Sequence, residues 1–297
     1  MTLRDFFDNL YRPLRLRGKS PNTVLLYGCL IRTFSRWLGR DATVADLDEL
    51  VLARFLEHRI TVVAAITADK DRQQLMALAG LAWKKRLIEE MPSCPPGLIP
   101  ERAPEAWTID EMTHLQKVAS DPKTYHRRKV FYSQFFSALI PVLWETGERV
   151  GAIRDVARAD FTRPHLLVRS EFRKGRKRDR IFTLTPATCD RLEALPRSEN
   201  GKLFPWPFTE TFLQTQFKRV VKKAGLNPEG KKRLLFHQIR RTALTHYQAA
   251  GGNACEMAGH SSDKITRKWY LDVRFTETGA KPCDVLPSLE RKPTEAA

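Results

Sequence analysis

The sequence predicts a mainly α-helical protein of two domains, the second of which carries a small antiparallel β-sheet. Three observations predict this. Apolar residues recur at helical spacing over most of the chain. Pro92, Pro95, Pro96, Pro100 and Pro104 crowd one segment, where proline blocks helix continuation and favours extended backbone, so residues 93–107 read as a linker. Two short apolar runs, Leu166-Leu167-Val168 and Ile181-Phe182-Thr183-Leu184, have strand length and flank a charged stretch containing Gly175.

Residues 1–92 read as a helical domain. Leu3, Phe6, Phe7, Leu10 and Tyr11 recur at helical spacing. Ser20-Pro21 is a cap followed by proline at the first helical position, and Val24, Tyr27, Ile31, Phe34 and Leu38 then form a stripe that Gly39 ends. A third helix is expected over roughly 46–58 with Leu47, Leu50, Val51 and Phe55 inward, and a fourth over roughly 67–90 with Leu75, Leu78, Ala79 and Ala82 inward.

The second domain is expected over residues 108–274. Thr108 to Glu111 reads as a capping box. An apolar helix should run from about 128 to 145 and end at Gly147, just before Arg149. The two strands follow, joined through Arg173-Lys174-Gly175-Arg176-Lys177-Arg178-Asp179-Arg180. Thr209 to Gly225 fits a capped helix with Phe212, Leu213, Phe217, Val220 and Val221 inward. A further helix should start near His237 and reach about Ala250, ending at Gly251-Gly252. Residues 275–297 are polar and read as a weakly structured tail.

The formal net charge is +17, and the window 169–241 alone carries 19 Lys and Arg against 7 Asp and Glu. A basic face of that kind is expected of a polyanion binder. No run of 18 apolar residues is present and the N-terminus is charged, so neither a membrane span nor a signal peptide is expected. Five scattered cysteines, 29, 94, 189, 255 and 283, fit reduced thiols. These features together point to the cytoplasm, at the nucleoid.

The chemistry concentrates near the end of the chain. His237-Gln238-Ile239-Arg240-Arg241-Thr242 is followed by Ala258-Gly259-His260-Ser261-Ser262 and by Lys268-Trp269-Tyr270, with Glu145-Thr146-Gly147-Glu148-Arg149 upstream. A phosphodiester gains negative charge in its pentacoordinate transition state, and two guanidiniums grip non-bridging oxygens in fork geometry while staying charged. His237 and Arg240 share a helix face at this spacing. Gly259 permits a tight turn, and Ser261 or Ser262 can cap a helix that carries Tyr270 as the nucleophile.

HxxR, then GHSS, then Tyr ten residues after the second His, with TGxR upstream, resembles the tyrosine recombinase (phage integrase) family. The resemblance implies a two-domain DNA clamp in which residues 1–92 form the core-binding domain. It implies a site-specific recombinase acting on double-stranded DNA through a 3′-phosphotyrosyl intermediate, with no metal, ATP or other cofactor. A homotetramer on DNA that associates weakly when free is implied as well. The catalytic set it implies is Arg149, Lys174, His237, Arg240, His260 and Tyr270, with Lys177 the rival to Lys174 as general acid. Arg173, Arg176, Lys177, Arg178, Lys231, Lys232, Arg233 and Arg241 are expected to contact DNA. The tail is expected either to dock on a neighbouring protomer or to be disordered.

The chain departs from the family where an acidic residue often buttresses the first arginine: Ala152 stands there, and Glu148 or Asp155 are the candidate substitutes. Other readings compete. A type IB topoisomerase shares the chemistry, and a DNA-binding protein that has lost catalysis shares the surface. His237, His246, Cys255 and His260 lack zinc spacing, and Gly147 and Gly151 make no phosphate loop.

Overall fold

A computed structural model describes residues 1–100, 103–173, 178–226 and 235–276. The chain divides into two compact units, Met1–Glu101 and Arg102–Ala297.

In the first unit, α1 (Leu3–Phe6) continues through a π-helical stretch, Phe7–Tyr11, into α2 (Arg12–Arg15). α3 (Pro21–Leu38) starts where Ser20 accepts from Thr23 N at 3.3 Å, and it stops at Gly39, whose φ of 71° suits a residue without Cβ. α4 (Glu49–Val62) and α5 (Ala65–Lys84) close the core around Phe34, Leu52, Phe55, Leu75 and Leu78. Two expectations need correction. Asp48 caps α4 by accepting from Leu50 N and Val51 N, so the helix begins later than expected; Leu50 turns outward at 67 % exposure and Leu52 takes the inward place. α5 ends at Lys84, well short of residue 90, and Arg86 turns the chain with φ 56°.

In the second unit, α6 (Ile109–Ser120) opens with the expected capping box: Glu111 N donates to Thr108 Oγ1 at 3.1 Å and Thr108 N to Glu111 Oε2 at 2.7 Å. α7 (Lys129–Thr146) is the central apolar helix and contains Pro141. Proline removes the N–H that would bond the carbonyl four residues earlier. That carbonyl, Ser137 O, instead accepts from Gln116 Nε2 at 3.0 Å and Arg191 Nη1 at 3.3 Å.

The short helix α8 (Val150–Asp155) leads to an antiparallel sheet ordered β1 (Phe161–Thr162), β2 (His165–Val168), β3 (Arg180–Thr183). Leu166 pairs with Phe182 and Val168 with Arg180, which puts Leu166 and Val168 into the core. α9 (Pro186–Glu193) and α10 (Glu210–Lys223) follow. Phe212 was expected inward; it lies on the rim, 36 % exposed, against Trp206 and Phe208. α11 (Leu235–Ala249) packs on α10 through Phe217 and Phe236, whose rings stack at 4.0 Å. α12 (Ala254–Ala258), α13 (Asp263–Tyr270) and α14 (Val273–Thr276) complete the unit. Among the described residues no helix is long and apolar enough to cross a membrane.

Phe217 is fully buried at this junction. Phe217→Ala should lower the unfolding free energy of the second unit by about 3–5 kcal/mol, read by chemical denaturation. A loss below about 1 kcal/mol would show that the ring is not part of the core.

Candidate active site

The site forms where the ends of α7, α12 and α13 meet α11. Gly147 ends α7 with φ 59°, and Arg149 is the N-cap residue of α8. Gly259 ends α12 with φ 66°, where an added Cβ would lie 2.8 Å from Arg173 Nη2. Of the two candidate serines, Ser262 caps α13, accepting from Lys264 N at 3.2 Å.

Arg240 projects from α11 into this junction and is 1 % exposed. Its Nη1 donates to Gly147 O and its Nη2 to Ala258 O at 2.9 Å. Both acceptors sit at helix C-termini, where carbonyls lack intrahelical partners and the dipole favours a cation. Among the described residues the nearest carboxylate oxygen, Glu148 Oε2, stands 3.9 Å from Arg240 Nη1. The Nε of Arg240 is buried and has no hydrogen-bond partner among the described residues. Burial, with Arg149 adding to it, pushes the Arg240 pKa down to about 10, which leaves the group charged at neutral pH.

Tyr270, at the last position of α13, is 6 % exposed. Its ring lies 5.3 Å from Arg240 Cζ, with the His237 and His260 rings at 5.0 and 4.7 Å between centroids. His260 Nε2 is 3.2 Å from Arg240 Nη2, and its Nδ1 is 3.0 Å from Thr266 Oγ1. A guanidinium only donates, so Nε2 accepts and the ring proton sits on Nδ1, facing Thr266. Burial first, then Arg240 and other cations, lowers both His237 and His260 to about 4. Both rings are therefore neutral at pH 7.

Neither candidate buttress bonds the Arg149 side chain among the described residues; Glu148 comes nearer, through the Arg149 backbone. It is 1 % exposed and accepts from Arg173 Nε at 2.8 Å and from Arg149 N at 3.3 Å, whereas Asp155 pairs with Lys202 at 2.6 Å. Ala152 is buried in the core. The Arg149 side chain makes no hydrogen bond or ion pair among the described residues and remains part-exposed beside the buried Arg240.

The expected DNA contacts divide. Arg173 turns inward onto Glu148 and its side chain is 10 % exposed, because the buried carboxylate requires a cation. Arg241 donates to Trp269 O at 3.2 Å and Gln238 Oε1 at 3.3 Å. Arg178 is exposed, and its carbonyl accepts from Arg173. Lys174, Arg176, Lys177, Lys231, Lys232, Arg233 and the tail from residue 277 lie outside the described residues. Among the described residues no three His, Cys, Asp or Glu side chains group as metal ligands; His246 instead meets Trp107 O at 2.9 Å. Sequence reasoning missed Thr266 and also Arg180, whose Nη1 donates to Glu256 O and Met257 O at 2.7 Å and ties the sheet to α12.

The free protein should lose stability as pH falls. The unfolded chain binds protons at His237 and His260 near the ordinary 6.5, but the folded chain does so only near 4, so stability drops between those values. Histidine-resolved NMR titration should place both rings well below 6.5, and an anion beside Arg240 should raise them. Ordinary titration of both in the free protein would contradict their burial.

The profile of the phage integrase family matches residues 108–277. Sequence comparison with curated proteins returns no match. Among solved structures, a lambda integrase tetramer bound to a Holliday junction matches with TM-score 0.71 and 19 % identity, covering 95 % of this chain and 80 % of that one. A lambda integrase dimer bound to a core site matches with TM-score 0.68 and 20 % identity, covering 89 % and 97 %. The Tn1549 transposon integrase in complex with circular-intermediate DNA matches with TM-score 0.68 and 15 % identity, covering 94 % and 96 %. With the family profile spanning more than half of its length, this chain belongs to the phage integrase family, the tyrosine recombinases.

Proposed function

We propose that the protein is a site-specific DNA recombinase that cuts and rejoins duplex DNA through Tyr270, without metal or ATP. One observation carries the reading: Arg240 is buried with an open Nε–H, beside the Tyr270 ring and the side chain of Arg149. A buried N–H without an acceptor is costly, and a phosphate oxygen supplies the missing partner.

In this reading the Tyr270 oxygen attacks phosphorus, the bond to the 5′-oxygen breaks, and a 3′-phosphotyrosyl bond forms. Neutral His237 accepts the tyrosine proton, and Lys174 protonates the departing 5′-oxygen. Arg149 and Arg240 stabilise the charge on the non-bridging oxygens, and His260, on taking up a proton at Nε2 beside the anion, donates to the same phosphate. A 5′-hydroxyl from a partner strand reverses the step, and the covalent link conserves the bond energy. Assembly as a tetramer on DNA is part of the proposal, in line with the lambda integrase tetramer on a Holliday junction.

The test uses nicked duplexes tiled across the DNA that flanks the gene, so that a cleaved strand cannot be rejoined. Wild type should leave a protease-sensitive DNA adduct, in excess EDTA as well, and Tyr270→Phe should bind DNA without forming it. An adduct with Tyr270→Phe, or loss of cleavage on chelation that Mg²⁺ restores, would contradict the assignment. DNA binding by wild type with no adduct on any duplex would favour a protein that has lost catalysis.

A further inference from the structure

α11 has two polar faces. One carries His237 and Arg240 into the site. The other carries Gln238, Thr242 and His246, each one turn from the next, and it faces the chain entering this unit. Gln238 Nε2 donates to Glu105 O. Trp107 N donates to Thr242 Oγ1 at 3.1 Å, and Trp107 O accepts from His246 Nε2 at 2.9 Å. Ala106 N donates to Asp272 Oδ2 at 2.7 Å, and Ala106 O accepts from Arg274 Nη2 at 3.3 Å. All four backbone polar groups of two consecutive linker residues are therefore satisfied by side chains. Those side chains come from α11 and from the residues just after Tyr270.

The contacts continue to Tyr270. Asp272 is 1 % exposed and Thr245 is fully buried. Asp272 N donates to Thr245 Oγ1 at 3.1 Å, and Thr245 Oγ1 donates its one proton to Tyr270 O at 2.8 Å. Arg274 closes the group on Asp272 at 2.6 Å. Burial alone would raise the Asp272 carboxyl, but the bonds from Arg274 and Ala106 N outweigh it and hold the group below its ordinary value.

We propose that Asp272 and Thr245 are positioning residues for Tyr270, forming a clip that ties the nucleophile's segment to the linker at Ala106. The inference rests on the assignment of Tyr270 as nucleophile and adds what aims it. In-line attack requires the tyrosine oxygen about 3–3.5 Å from phosphorus, and a misplacement of about 1 Å costs on the order of 10²-fold in rate. Apolar packing would hold α13 against α11, but it would leave the backbone of Tyr270 free to slide. The Thr245 hydroxyl holds two consecutive peptide units, through Tyr270 O and Asp272 N, and the Asp272 carboxylate anchors the second of them to Ala106 N.

Three variants separate the clip from general stability. Asp272→Ala removes the carboxylate, Thr245→Val removes the hydroxyl at similar volume, and Ala106→Pro removes the linker N–H while fixing φ there and restricting Glu105. At saturating nicked duplex, each should form the phosphotyrosyl adduct on the order of 10²-fold more slowly than wild type. Dissociation constants for DNA should stay within about two-fold, and Thr245→Ser should retain the wild-type rate. Should Asp272→Ala fail to fold, Ala106→Pro and Thr245→Val carry the same comparison. Adduct formation at the wild-type rate in the folded variants would overturn the clip while leaving Tyr270 as nucleophile. Parallel loss of rate, DNA affinity and melting transition would overturn it in favour of a purely structural role. Failure of wild type itself to form an adduct would overturn the Tyr270 assignment, and the clip with it.

Discussion

A guanidinium removed from water must recover its solvation from the protein or change its charge. Arg240 recovers it mainly from carbonyls. Gly147 O and Ala258 O, each at the end of a helix, take its two terminal nitrogens, and the nearest carboxylate among the described residues stands 3.9 Å off. This requirement organises the site. α7 and α12 must both stop beside Arg240 with their last carbonyls aimed at it, and both stop at glycines with positive φ. Arg149 leaves the first of these turns and His260 the second. The residues of the proposed site thus inherit their places from the solvation of one buried cation.

A full carboxylate partner would neutralise Arg240 and compete with phosphate. Glu148 instead spends its closest contacts on Arg173 at 2.7 Å and lies further from Arg240. Excess positive charge therefore persists inside the site. Burial first, and this charge second, lowers His237 and His260 and keeps both rings neutral and able to accept protons. In the proposed reaction an incoming phosphodiester would relieve the same imbalance.

Much of the fold was legible because it rests on local signals. Ser20-Pro21 and Gly39 bound α3, and Thr108 with Glu111 opens α6, each through contacts within a few residues. The failures were also local. A cap at Asp48 shifted the start of α4 and sent Leu50 outward, and α9 and α12 are too short to show a helical period. In the site, the order and spacing of Arg149, His237, Arg240, His260 and Tyr270 were readable, and the structure brings these residues together. That neither Glu148 nor Asp155 turns to the Arg149 side chain was not readable, because Arg173 and Lys202, which pair with them, arrive from other parts of the chain. Nor did any pattern mark Thr245 or Asp272. Their partners are far apart in sequence, and a buried threonine or aspartate gives no periodic signal.

The central claim is that Arg240 is a buried cation whose Nε–H waits for a phosphate oxygen. NMR of the arginine side-chain Nε–H groups tests it directly, with Tyr270→Phe bound to the duplex that wild type cleaves. In the free protein one Nε–H signal, absent in Arg240→Lys, should exchange slowly with water because it is buried. On adding DNA that signal should shift downfield as it gains an anionic acceptor. A signal that exchanges as fast as those of surface arginines, or that does not move when DNA binds, would contradict the account.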